Sequence, residues 1–76
     1  MNSNKVVDAK GLSCPMPIVR TKKAMDTLNT GEVLEVNVTD KGALADFPAW
    51  AKAGGHTVLE HTENDGVITF FIQKGF

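Results

Sequence analysis

The sequence predicts an α/β protein: a βαβαββ chain folded as a two-layer α/β sandwich, with two helices on one face of a mixed four-stranded sheet. Three observations predict it. Segments with apolar residues at every second position are distinct from segments whose apolar residues recur at helical spacing. Glycine- and proline-bearing breaks separate them. The last break, Asn64-Asp65-Gly66, has the chemistry of a tight hairpin, whose turn residues must tolerate positive φ.

Each element follows from its residues. Lys5-Val6-Val7-Asp8-Ala9 reads as a short first strand ended by Gly11. The first helix should run from Pro15 to about Leu28 and stop at Asn29-Thr30-Gly31. Ile18, Thr21, Ala24, Met25 and Leu28 form one stripe on it at about 100° per residue. In the strand from Glu32 to Thr39, Leu34, Val36 and Val38 alternate with Val33, Glu35 and Asn37. One face of that strand is therefore buried and the other mostly polar, which suits helices on a single side of the sheet.

Asp40-Lys41-Gly42 reads as a turn, and Ala43 to Ala53 as a second helix whose apolar face is Leu44, Phe47, Trp50 and Ala51. Pro48 should either kink that helix or make Asp46-Phe47 a preliminary turn. Gly54-Gly55 closes it. Strands at about His56–Glu63 and Val67–Lys74 follow, with Ile68, Phe70 and Ile72 facing inward. The strand–helix–strand unit implies a right-handed crossover with parallel pairing, and the final hairpin is antiparallel.

The bulk numbers narrow the function. Seventy-six residues, 42% hydrophobic, make one small domain spanning 1–76, near the size at which a single core barely offsets chain entropy. One cysteine leaves no internal disulfide, and no Cys/His array has structural-zinc spacing, so neither a metal nor a cofactor is expected. No stretch has the length of a signal peptide's apolar region or of a bilayer span, and a reduced, cytoplasmic location is the expectation. A net charge of −1 argues against a protein held on nucleic acid by a broad basic surface.

Cys14 is the residue that can carry chemistry. It lies in Cys14-Pro15-Met16-Pro17, where an extended segment turns into a helix. A thiol at a helix N-terminus faces unpaired N–H groups and the positive end of the macrodipole, both of which favour the reactive thiolate. Pro15 suits the first helical position, and Pro17 still lies in the first turn, where a missing N–H costs little. Gly11-Leu12-Ser13 makes a tight lead-in. The alternative is a cysteine that serves as a small buried hydrophobe.

Two absences shape the reading. Position 17, where a second Cys of a Cys-x-x-Cys motif would stand, is Pro17, so intramolecular dithiol chemistry is excluded. The possible bases, His56 and His61, fall on the third strand or its start, and nothing places them near Cys14. A single thiol can still accept a group and hand it to another protein. On a helical wheel Met16, Val19, Arg20 and Lys23 lie away from the apolar stripe, two apolar residues beside two cations within a turn or two of the thiol. That arrangement fits a docking surface for a partner protein, and a solvated helix face is the plainer alternative. Lys10 and Lys22 add positive potential. Trp50 and Phe47 read as core, and the scattered carboxylates as solvated surface.

Asp8-Ala9-Lys10-Gly11-Leu12-Ser13-Cys14-Pro15-Met16-Pro17 resembles the Gly-Leu-x-Cys-Pro-x-Pro signature of the TusA/SirA family of small sulfur-carrier proteins. The resemblance continues through Asp46-Phe47-Pro48-Ala49-Trp50 to Gln73-Lys74-Gly75-Phe76. It implies the same sandwich and makes Cys14 the catalytic residue. Cys14 would accept sulfane sulfur as a persulfide from a cysteine desulfurase or rhodanese-like donor and pass it to an acceptor protein. Family members feed tRNA thiolation, molybdenum-cofactor assembly, sulfur oxidation or selenium metabolism. Met16 stands where tRNA-thiolation members resemble Cys-Pro-Glu-Pro, and Asp40-Lys41-Gly42 where many members have Asp-Pro. The apolar Met16 in place of an acidic residue would alter the docking surface, and the departures speak against the tRNA role in particular while leaving sulfur transfer in general unaffected. The competing classes are a regulatory domain with a structural or sensing cysteine and, more remotely, a single-stranded RNA binder.

Overall fold

In a computed structural model of the protein, residues 3–13 and 16–75 are described. The elements are β1 (Lys5–Ala9), α1 (Met16–Met25), β2 (Val33–Val38), α2 (Ala43–Ala53), β3 (Thr57–Asn64) and β4 (Val67–Gln73), the βαβαββ order read from the sequence. The sheet order is β1-β2-β4-β3. β1 and β2 are parallel, while β4 runs antiparallel to both of its neighbours. β3 therefore runs parallel to β2 one place away, and the hairpin returns β4 into the gap between them.

The register puts the apolar residues in stacked pairs. Leu34 faces Ile72, Val36 faces Phe70 and Val38 faces Ile68, all six without solvent exposure. Thr21, Ala24 and Met25 of α1 and Ala43, Phe47 and Ala51 of α2 cover the same sheet face. Phe47 stacks on Phe70 with ring centroids 4.9 Å apart, and Trp50 meets Phe47 edge-on at 6.4 Å. Among the described residues no helix covers the opposite face. There Thr69 Oγ1 donates to Asn37 Oδ1 at 2.7 Å, and Asn37 Nδ2 donates to Glu35 Oε2 at 3.3 Å.

Three expectations need correction. α1 is helical only to Met25, because Thr27 Oγ1 bonds back to the Ala24 carbonyl at 2.6 Å and the chain tightens into a turn ending at Leu28. Leu44 is 40% exposed, and Ala43 takes the inward position, so the buried face of α2 begins one residue earlier than expected. Pro48 lies inside the continuous helix α2, which rules out the preliminary turn. The carbonyl it leaves without an intrahelical donor is that of exposed Leu44, four residues back, so solvent can satisfy it.

The turns match their residues. Asp65 (φ 51°) and Gly66 (φ 80°) form a two-residue hairpin loop with both dihedrals positive. At the end of α2, His56 N donates to the Ala51 carbonyl at 2.7 Å and Gly55 N to the Lys52 carbonyl at 3.3 Å, with Gly55 at φ 79°. This Schellman arrangement satisfies carbonyls that the helix leaves unpaired.

Candidate functional site

The segment carrying the cysteine joins β1 to α1 at the carboxyl ends of the parallel strands β1 and β2. Its lead-in is well anchored. Lys10 N donates to Asp8 Oδ1 at 3.1 Å, and Gly11, at φ 80°, sends its N–H to Thr39 Oγ1 just past β2, at 2.9 Å. Leu12 packs against the core. Met16 N donates to the Ser13 carbonyl at 3.0 Å, and α1 is described from Met16. The expectations for Cys14 and Pro15 themselves lie outside the described residues.

The residues after the cysteine are defined. Pro17 is buried, and its carbonyl accepts from buried Thr21 Oγ1 at 2.7 Å, one turn on. That bond gives the only buried polar side chain among the described residues a partner. α1 has no acidic residue in its first turn, so nothing on its own first turn offsets the positive end of its macrodipole. Met16 and Val19 are 43% and 38% exposed, and Arg20 and Lys23 are exposed beside them. Among the described residues, neither cation takes part in a hydrogen bond or ion pair.

Sequence reasoning missed one feature. Asp40 and Asp46 line a shallow cleft with Pro17, Ile18, Ala43 and Phe47, between the first turns of α1 and α2. The cleft occupies about 180 Å³, counting space open to solvent. It is smaller than the roughly 300 Å³ at which small-molecule sites begin. Asp40 Oδ1 accepts from Gly42 N at 3.0 Å, which organises the β2–α2 turn. The two carboxylates there set a negative wall facing Pro17 and Ile18 of α1. The signal was in the Asp40 and Asp46 positions at a helix start, but only the packing of α2 on α1 brings them beside Pro17.

The histidines are elsewhere. His56 follows α2, a helix length of about 16 Å from its first turn. His61 is exposed on the edge strand β3, its ring 5.7 Å from that of Phe70. Among the described residues there is no cluster of His, Cys, Asp and Glu that could hold a metal ion, and no helix is long and apolar enough to cross a membrane.

Comparison with known proteins decides the family. The family model described as sulfurtransferase TusA matches residues 5–74. The chain belongs to the TusA family. YrkI of Bacillus subtilis is 61% identical over 75 residues, which cover 99% of this chain and 100% of that protein. The sulfur carrier protein TusA of Allochromatium vinosum is 44% identical over 68 residues, 90% of each chain. The crystal structure of a SirA-like protein from Desulfitobacterium hafniense superposes with a TM-score of 0.81 at 32% identity, covering 95% of this chain and 99% of that one. The TusA match includes the whole cysteine-bearing segment and both helices.

Proposed function

We propose that this protein is a sulfur carrier, in which Cys14 accepts sulfane sulfur from a donor protein and delivers it to an acceptor. The observation that carries the reading is the TusA family match over residues 5–74, within which Cys14 is the only cysteine. In the loading step the Cys14 thiolate attacks the terminal sulfur of a donor persulfide. The donor S–S bond breaks, a Cys14 S–S bond forms, and the donor leaves as thiolate. The sulfur moves with no net oxidation, so the step needs no cofactor. Delivery is the same exchange with a thiolate on the acceptor.

In this reading Gly11, Leu12, Pro15 and Pro17 fix the segment, and the α1 N-terminus favours the anion. Met16, Val19, Arg20 and Lys23 meet donor and acceptor. The donor is of the cysteine desulfurase or rhodanese kind, and the work is that of a relay in the cytoplasm rather than of a stand-alone enzyme. The anchored lead-in, the buried Pro17 and the exposed apolar and cationic face of α1 support it.

The test is loading. Incubated with a cysteine desulfurase and cysteine, then weighed intact, the protein should gain one sulfur that a reductant removes, and Cys14→Ser should gain none. A wild-type protein that stays unloaded where a proven carrier is loaded would refute the proposal. A partner complex that forms equally well with Cys14→Ser, together with an ordinary thiol pKa near 8.5, would favour the regulatory-domain alternative.

A further inference from the structure

The far end of the helical layer holds a contact that sulfur transfer does not use. Past β4, Lys74 is tied into the molecule by its N–H to the Glu32 carbonyl (2.9 Å), its carbonyl to Gly31 N (2.9 Å) and its Nζ to the Leu28 carbonyl (2.7 Å). The next residue, Gly75, lies against the turn that ends α2. Its N–H donates to His56 Nδ1 at 3.1 Å, and a Cβ built on it would collide with the Gly55 carbonyl oxygen. The His56 ring in turn sits 5.3 Å from the ring of Trp50. The approach is close on both sides, because a Cβ at Gly54 would come within 3.0 Å of His56 Cδ2.

An Nδ1 that accepts a hydrogen bond must be unprotonated, which places the neutral ring's proton on Nε2. Adding a proton to Nδ1 turns the acceptor into a donor facing the Gly75 N–H. Burial and two nearby charges bear on how readily that happens. Burial of the ring disfavours the charged form most, the Lys74 ammonium disfavours it further, and the Asp26 carboxylate at the end of α1 works the other way. Their balance lowers the His56 pKa below its ordinary value of 6.5, so the ring is mostly neutral at neutral pH.

We propose that His56 and Gly75 form a proton-operated latch: the neutral imidazole holds Gly75 against the end of α2, and protonation of Nδ1 releases it. Lys74 stays fixed by its backbone bonds, so the release begins at Gly75. It uncovers the Gly54-Gly55 turn and changes the surroundings of Trp50, the only tryptophan in the chain. The latch does not depend on the sulfur-carrier reading.

The test is a pH titration of the full chain by NMR and tryptophan fluorescence from pH 8 to pH 5. The Gly75 amide resonance should move with one midpoint below 6.5, shared with the His56 ring protons and with Trp50 emission, and its exchange protection should be lost below that midpoint. His56→Gln keeps a non-titrating acceptor and should hold the Gly75 amide still throughout. Gly75→Ala should give, at pH 8, the Trp50 emission of wild type at pH 5. A wild-type Gly75 amide that does not titrate, or a midpoint that persists in His56→Gln, would overturn the latch.

Discussion

The two ends of the helical layer are built differently. At the end where β1 and β2 finish and the helices begin, the chain is held by backbone anchors such as Gly11 N to Thr39 Oγ1, while Met16, Val19 and Arg20 stand exposed on a face of α1 that runs on to Lys23 in its last turn. At the other end side chains are engaged. Lys74 Nζ caps the Leu28 carbonyl, Lys5 Nζ donates to Thr27 Oγ1 at 3.0 Å, Gln73 Nε2 donates to the Gly31 carbonyl at 3.2 Å, and His56 accepts from Gly75. Long cationic side chains occur at both ends, so composition does not explain the contrast. The difference is in use: Lys74 and Lys5 serve this chain's own carbonyl and hydroxyl groups, whereas Arg20 and Lys23 on the exposed face of α1 have no such bond among the described residues.

The contrast can be broken from the middle first. Phe47 stacks on Phe70 beneath both ends, so Phe47→Ala should cost about 3–5 kcal/mol and impair both, read as a lower urea midpoint and weaker partner binding together. Reversing the free face with Arg20→Glu and Lys23→Glu should separate them. Partner affinity should fall at least tenfold, ~1.4 kcal/mol, in a binding titration, with the unfolding midpoint nearly unchanged. Equal losses in both measurements would mean that this face supports the fold and not a partner.

Smaller effects probe the tied end. Lys74→Met should lower stability by about 1–2 kcal/mol by leaving the Leu28 carbonyl uncapped, with sulfur loading intact. Because it also removes a cation beside His56, it should raise the His56 midpoint seen by NMR. The pH dependence is the smallest effect and its sign is fixed. His56 is harder to protonate folded than unfolded, so the unfolded chain binds more protons as the pH drops below 6.5. Chemical denaturation should show stability falling from there and levelling off once the folded-state His56 is itself protonated. His56→Gln should lack that step.

Much of the architecture was legible because single residues determine it. The alternation Leu34, Val36, Val38 could bury only one face, and Asp65-Gly66 could accept two positive dihedrals in succession. The errors fell where tertiary packing outranks local pattern. Leu44 and Ala43 are one step apart on a helix, and the choice between them depends on where α2 crosses the sheet. Thr27 shortened α1 through a bond to the Ala24 carbonyl that periodicity does not register. Around the site, the exposed face of α1 was readable from the helical wheel, because one helix suffices to place it. The Asp40 and Asp46 wall was not, since it arises from contact between two helices far apart in sequence.

The strand order has a consequence for how the protein is made. β4 is the last strand in the chain, yet it occupies an interior place in the sheet and supplies Ile68, Phe70 and Ile72 to the core. While the chain is being synthesised, β1, both helices, β2 and β3 all emerge before the strand that joins β2 to β3. Until then Leu34, Val36 and Val38 have their neighbours in β1 but lack Ile72, Phe70 and Ile68 on the other side, and Phe47 lacks the Phe70 ring it stacks on. The core is therefore completed only after β4 has emerged from the ribosome. A break in translation even a few residues before Phe70 yields a chain with most of its secondary structure encoded and no completed core.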